Sequence, residues 1–445
     1  MPSETPVVLE LDDIQSGALH GRPSPYVGVH ILLRIDDRRA GREFLRGVIP
    51  ALAPAANPAD SDRQAWITAA LTFQGLKALG VPHVSLDSFP PEFQQGMAAR
   101  AAELGDVGES APEHWERPFG TSDVHVAVSA LAPDPARLEA VLAGARKAYE
   151  HLSGVSVIWR LDCHVLPTET EAFGFKDGIS HPAVEGTGIP GTNPNEPPLK
   201  AGEFLLGYRD ETGDFPPMPQ PDVLGRNGTF VAFRKLHQRV AAFRQFLKAN
   251  APIADAEALL AAKMMGRWQS GAPLALCPMH DDPELGADPG RNNDFLFNAD
   301  DPKGLKTPPG SHIRRMNPRD SAIVGVPRLH RMIRRGTSYG PLLPAGVLED
   351  DGADRGLAFV FVGAHLKRQF EFVQSEWVKD GVFFGAPGEK DPIAGPNEGD
   401  GQFTIPQQPI RRRLTRLPRF VVTRGGEYFF APGLRALRWL AALET

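Results

Sequence analysis

Cysteine is almost missing from this chain: Cys163 and Cys277 are the only two in 445 residues. They lie far apart and form no CxxC or zinc spacing, so a disulfide scaffold and a Cys-ligated metal centre are excluded, and a reducing compartment is expected. No apolar run approaches the ~18 residues that a membrane-spanning helix needs. Neither sign of charge dominates. Lys and Arg number 48 against 54 Asp and Glu, a net charge of -6, which leaves no global attraction to nucleic acid or to an anionic membrane. The opening stretch, "MPSETPVVLELDDIQSG", is acidic where a secretory leader needs a basic region and an apolar core, and it has no paired arginines. A cytoplasmic location is therefore the expectation.

Glycine and proline are plentiful, at 45 and 43 residues, so long structured loops are expected. The length exceeds what one core usually supports, and two domains are expected, residues 1–200 and 201–445. In the first, "YVGVHILLRID" places Val27, Val29, Ile31, Leu33 and Ile35 on alternate positions, the period of a strand. "REFLRGVIPAL" follows as a helix. "DVHVAVSAL" repeats the alternation, "PDPARLEAVLAGARKAYEHL" reads as a helix with proline at its start, and "VSVIWRLD" as a third strand. Residues 182–225, dense in proline and glycine, form a long connection or a domain boundary. The pattern then restarts. "GTFVAFRKL" is strand-like, "HQRVAAFRQFLKANA" an amphipathic helix, "GLAFVFVGAHL" a buried strand, "KRQFEFVQSEWVKDG" a helix, and "RFVVTRGGEYFF" a terminal hairpin turning at Gly425 and Gly426. Both halves sketch one α+β plan of split β-α-β units, the ferredoxin-like arrangement with antiparallel sheets and peripheral helices.

Three groups carry candidate chemistry. "CPMHDDPE" gathers His280, Asp281, Asp282 and Glu284, but neighbours on a loop seldom converge on one ion. His312 stands in a different setting: Arg314, Arg315, Arg319, Arg328, Arg331, Arg334 and Arg335 follow it, with Asp320 the one acid among them. Such a cluster needs anionic partners. A histidine that ligates iron and arginines that bond two propionates are what a haem requires. A peroxidase further needs a base for the first proton of H2O2 and a fixed positive charge to stabilise the O–O bond as it breaks. The stretch "EAFGFKDGISHP" supplies a carboxylate, Asp177, between Gly174 and Gly178 and behind Phe173 and Phe175. Read alone, it also suits a turn closed by glycines.

"GFKDG" (Gly174 to Gly178) resembles the GxxDG signature of dye-decolorising peroxidases. "HIRRMNPR" (His312 to Arg319) resembles that family's proximal-histidine segment, and "MIRRGTSYG" (Met332 to Gly340) its distal-arginine segment. The resemblance implies haem b, with His312 as the iron ligand, Asp177 as the distal acid-base, Arg334 as the distal arginine and Arg319 as a propionate partner. Arg335 is the alternative to Arg334. It also implies paired ferredoxin-like domains with the haem pocket in the C-terminal one, and an H2O2-dependent peroxidase that oxidises dyes, phenols or other bulky donors by one-electron steps through a ferryl intermediate. The bacterial cytoplasmic branch is the expected placement; homo-oligomerisation is left open.

Two other readings stand beside this one: a haem-handling protein that needs His312 but not Asp177, and a metal hydrolase built on His280. Surface aromatics are an alternative route for electrons, with Tyr339, Trp377, Tyr208 and Trp439 as candidates, although such residues are usually packing elements. Glu371 and Asp380 are candidates for the acceptor behind His312, because a ligating imidazole is normally oriented through its second nitrogen. "RRRLTRLPR" (Arg411 to Arg419) is expected to be a solvated basic loop.

Overall fold

The alternating valines and isoleucines do form a strand: β1 spans Val27–Ile35 in a computed structural model that describes residues 7–56, 65–321 and 325–444. Ten more strands follow: β2 (Trp66–Leu71), β3 (Val126–Ala132), β4 (Val155–His164), β5 (Thr229–Gln238), β6 (Ile333–Arg334), β7 (Thr337–Tyr339), β8 (Gly356–Gly363), β9 (Gly401–Ile405), β10 (Arg412–Leu417) and β11 (Val421–Ala431). All but β9 and β10 belong to one antiparallel sheet of order β4-β1-β3-β2-β11-β5-β8-β6, with β7 also paired to β8. Read in one direction along the sheet, the two halves repeat a single order. In the first, β1 lies between its fourth and third strands; in the second, β5 lies between β11 and β8. The halves meet where β11 joins β2 at Phe430 and Leu71. This is the ferredoxin-like α+β plan twice over, fused edge to edge.

Helices cross between the strands where the sequence places them. Arg38–Val48 follows β1 and is capped by Asp37, whose carboxylate accepts the Ala40 N–H. Pro135–Lys147 follows β3, with Asp134 as its cap and Pro135 in its first turn. Val240–Asn250 follows β5 and buries Val240, Phe243, Phe246 and Leu247, the stripe expected of it.

Two expectations fail for identifiable reasons, and a third holds in a different winding. Gly425 and Gly426 do not turn the chain: β11 runs through them, pairing along its length with β5. They are glycines because of crowding, since a Cβ at Gly425 would overlap the Phe119 ring and one at Gly426 the Met97 sulfur. The segment 366–378 is helical but wound as π-helix, a form that recurs at functional sites. The run from Arg411 to Arg419 is not a loop, because Arg412–Leu417 is β10, paired with β9; Arg411, Arg412, Arg413 and Arg416 are solvated as expected, and Arg419 is buried on Ser110 and Glu398.

Candidate active site

Arg234 and Leu236 of β5, Leu357 and Phe359 of β8, and Val421 and Thr423 of β11 are spaced two apart, so they share one face of the sheet. That face floors a cavity of about 2250 Å³ of atom-free space, its mouth included. His312, Asp177, Arg334 and Arg319 all line it, although Asp177 lies 135 residues before His312 in the chain. The connection after β4 brings Asp177; the second half brings the other three.

His312 opens a short helix, His312–Met316, anchored by the Ser311 hydroxyl, which donates to the Lys263 carbonyl at 2.5 Å. Its Nδ1 lies 2.9 Å from Oδ2 of Asp391, while Oδ1 of that carboxylate accepts the N–H groups of Ile393 and Ala394 at 2.8 and 2.9 Å. Burial alone would raise the Asp391 pKa, but His312, Arg315 and the Ala394 N–H outweigh it and hold the group below its ordinary 3.8. An ionised acceptor at Nδ1 fixes the tautomer and leaves Nε2 as the free nitrogen. Neither acceptor expected from the sequence has this place. Glu371 is bound by Arg100 and by the Tyr428 hydroxyl, and Asp380 accepts the N–H groups of Gly381, Val382 and Gly388.

The GFKDG segment is held from beneath by Glu171. This buried carboxyl accepts the N–H groups of Phe175 and Phe173 at 2.9 and 3.1 Å and a bond from Gln238, and burial pushes its pKa up to about 7. Phe173 and Phe175 pack on Phe243 with ring centres 4.8 and 6.5 Å away. Gly174 and Gly178 take φ of +98° and +82°, a region closed to most side chains. Asp177 therefore points from a rigid bend, and the accessible 31% of its side chain faces the cavity. Its burial raises the pKa, but the charges of Arg22 and then Arg334 reverse this, so the net direction is below 3.8.

Arg22 has no forerunner in the sequence motifs. Its Nη1 lies 3.2 Å from Asp177 Oδ2 and also donates to the Gly336 carbonyl. His181 is the second unforeseen neighbour: it lines the cavity, its Nδ1 is buried without a hydrogen-bond partner, and burial with Arg335 and Arg334 beside it pushes its pKa down to about 3.

The arginines divide by task. Arg334 donates to the Ser180 carbonyl at 3.1 Å and is one of the two charges acting on Asp177. Arg335, just past the end of β6, donates to the Leu19 carbonyl at 2.8 Å. Arg319 has φ of +55°, lies 3.8 Å over the Phe295 ring, and donates to the carbonyls of Asn293 and Phe295 at 2.8 and 3.0 Å. Burial pushes its pKa down to about 10. Arg315 is wholly buried among backbone carbonyls, Arg314 is set against Asp301, Arg328 pairs with Glu211 and Arg331 with Glu196. Much of the basic run is thus structural, and carbonyl oxygens meet part of the demand for anions. Of the His280 cluster, Asp282 caps the helix Pro283–Ala287 and Asp281 accepts from Ser270, so both acids are already engaged. Tyr339, Trp377 and Tyr208 are buried rather than on the surface, and Trp439 is half-buried.

No family model matches the chain. A dye-decolorizing peroxidase of Exidia glandulosa is 31% identical over 452 residues, covering 96% of this chain and 86% of that protein. Peroxidase 2 of Mycetinis scorodonius is 34% identical over 466 residues, covering 97% and 88%. This chain belongs to the dye-decolorising peroxidase family. The solved structure of an ancestral D-type dye-decolorizing peroxidase superposes with a TM-score of 0.85 at 30% identity, covering 98% of this chain and all of that one. A bacterial relative, a multifunctional dye peroxidase of Amycolatopsis, is 27% identical over 474 residues and covers 97% of the chain and 96% of that protein. The relatives at 30% identity or more over most of the chain are fungal, so a bacterial cytoplasmic branch is not borne out.

The family's peroxidases are haem enzymes. The cavity suits such a group on its own evidence. A histidine with one nitrogen held by a buried carboxylate offers the other to iron, Ile313, Met265, Phe359 and Phe370 supply apolar walls, and Arg319, Arg331 and Arg267 supply cations for carboxylates.

Proposed function

We propose that this chain is an H2O2-dependent haem peroxidase that oxidises dyes, phenols or similarly bulky donors one electron at a time. The observation that carries the reading is the convergence of His312, held from behind by Asp391, with Asp177 and Arg334 on one cavity. Haem b, bound there through Nε2 of His312, would supply the redox chemistry for cleaving the O–O bond. Arg319 would hold a propionate. Asp177, ionised because two guanidinium groups offset its burial, would take the first proton of H2O2 and return it to the departing oxygen, which leaves as water. Arg334 would hold positive charge beside that oxygen through the transfer. One H2O2 and two donor hydrogens give two waters and two donor radicals. A dye-decolorizing peroxidase solved with 2,6-dimethoxyphenol, at 28% identity and a TM-score of 0.83, supports phenols as donors.

The same reading divides the chain into residues 1–200, holding β1 to β4, and 201–445, holding the remaining strands. Among the described residues no helix is long and apolar enough to cross a membrane.

The test is direct. Purified protein supplemented with haem should show a Soret band near ~400 nm, and Asp177→Asn should keep that band while slowing the reaction with H2O2 by about 10²–10⁴-fold in stopped-flow mixing. An unchanged rate would remove Asp177 from the chemistry.

A further inference from the structure

We infer that Arg22 is a positioning residue of the distal site, a clip that holds the Asp177 carboxylate to the strand carrying Arg334 and keeps it available as a base in acid. The inference rests on the reading of Asp177 given above and concerns a residue that no motif contains.

The geometry of the clip comes from three separate pieces of chain. Arg22 lies in "GRPSPY", ahead of β1. Its Nη1 reaches Oδ2 of Asp177 at 3.2 Å and the carbonyl of Gly336, the residue that links β6 to β7. The guanidinium sits 4.8 Å over the ring of Tyr26, and the Tyr26 hydroxyl is itself fixed by accepting the Ser338 N–H at 2.7 Å. A cation on an aromatic face, whose Nη1 meets both a carboxylate and a backbone carbonyl, is held in place, not merely nearby. Gly178, next to Asp177, completes the seat. Besides its φ of +82°, a Cβ there would come within 3.2 Å of Arg22 Nη2, so the last glycine of GFKDG also keeps open the seat that Arg22 occupies.

The charges facing Asp177 decide what the clip does. Glu171 lies on the same loop and disfavours ionisation; His181, four residues on, is neutral over most of the working range. Arg334 approaches from β6 and Arg22 from the segment before β1, and Arg22 is the stronger of the two against the burial of the carboxyl. Arg22 alone forms an ion pair with Asp177 at the stated distance; Arg334 spends a nitrogen on Ser180. Arg334 is thereby free to act on the oxygens of peroxide, while Arg22 keeps the base ionised. Loss of Arg22 would leave Asp177 protonated at higher pH and inactive as a base below that point.

The experiment uses Arg22→Gln and Arg22→Lys in the full chain, with Asp177→Asn as reference. Asp177 is titrated by infrared difference spectra of carbon-13 aspartate-labelled protein, wild type minus Asp177→Asn, before and after haem loading, and the H2O2 step is timed across pH. Arg22→Gln should raise the Asp177 midpoint by about one pH unit and slow the peroxide step about tenfold at acid pH, a loss that shrinks toward neutrality. Arg22→Lys, which keeps the charge, should recover most of the shift. A midpoint and acid limb unchanged in Arg22→Gln, with Asp177→Asn still slow, would overturn the role of Arg22. A rate unaffected by Asp177→Asn would instead overturn the assignment of the base. A uniform loss at every pH that Arg22→Lys does not rescue would also count against the clip, because it would mark Arg22 as scaffold only.

Discussion

Asp391 holds His312 by its Nδ1 at 2.9 Å across 79 residues of chain, and it spends its other oxygen on two backbone N–H groups, so neither the carboxylate nor the ring can rotate. An anionic partner makes the imidazole a stronger donor to a metal and fixes the direction of Nε2. Asp391→Asn removes the charge and keeps the shape. Haem titration should show affinity lower by about 10–100-fold, and spectroelectrochemistry should show a raised reduction potential. Wild-type values for both would mean that the carboxylate only braces the loop.

Arg319 is expected to separate cofactor retention from turnover. Its guanidinium is fixed over Phe295 and by the Asn293 and Phe295 carbonyls, on the cavity wall. Asn293 also accepts from Arg267 and donates to the Ile179 carbonyl at 2.6 Å, next to the Asp177 loop. Arg319→Leu should bind haem more weakly by about tenfold or more while the H2O2 rate per bound haem stays near wild type, read by haem dissociation to an apoglobin acceptor and by stopped flow. Full occupancy with lost activity would contradict a propionate role.

How far the sequence revealed these features follows from how local each signal is. Asp177, His312 and the distal arginine stand in short runs whose composition serves one site, and strands such as β1 and β5 carry their period in a few residues. Asp391 and Arg22 carry no such mark: each reaches its partner only after the sheet has formed, and one of two acids in "EKDPIAG" or a lone arginine in "GRPSPY" looks like any loop residue. Gly178 was legible as a turn and not as a seat for Arg22, because the second use exists only in three dimensions. Glu371 and Asp380 were nearer guesses by composition, but distance in space, not sequence, selects an acceptor.

Stability should fall as pH rises from the acid side toward neutrality. Glu171, Glu203 and Glu427 are each pushed up to about 7 by burial, above the model-peptide value of 4.5. Between those values the folded chain holds protons that the unfolded chain has released, so the gap between the two states shrinks up to about pH 7 and then levels off. Below about pH 4 the reverse applies to Asp177 and Asp391, whose lowered values make the native state lose stability as they protonate. Glu427, whose carboxyl accepts the N–H groups of Met97 and Tyr428 at 3.1 and 2.8 Å, isolates the first effect. Glu427→Gln keeps an acceptor and removes the titration. It should be more stable than wild type by about 1–3 kcal/mol at pH 8 and close to it at pH 5 in urea melts. Equal stability at both values would show that the carboxyl is already solvated.

Gly425 tests whether the fused sheet needs its glycines for space. β11 joins the two halves, pairing with β2 on one side and β5 on the other, and its ladder with β5 shifts register between Thr423 and Gly425. At that irregularity Phe119 presses on the backbone, its ring stacked 5.8 Å from Phe233 and edge-on to Trp159 at 4.9 Å. A methyl at Gly425 has nowhere to go without moving that aromatic group. Gly425→Ala should cost about 1–3 kcal/mol in chemical denaturation, the usual penalty for overfilling a packed interior. Gly21→Ala, where a Cβ meets nothing within 4 Å, should cost far less. A turn at Gly425 would give a different result, since Asn tolerates left-handed turn positions that a crowded strand interior does not. Gly425→Asn should therefore be at least as damaging as Gly425→Ala, and rescue by Asn would restore the hairpin reading.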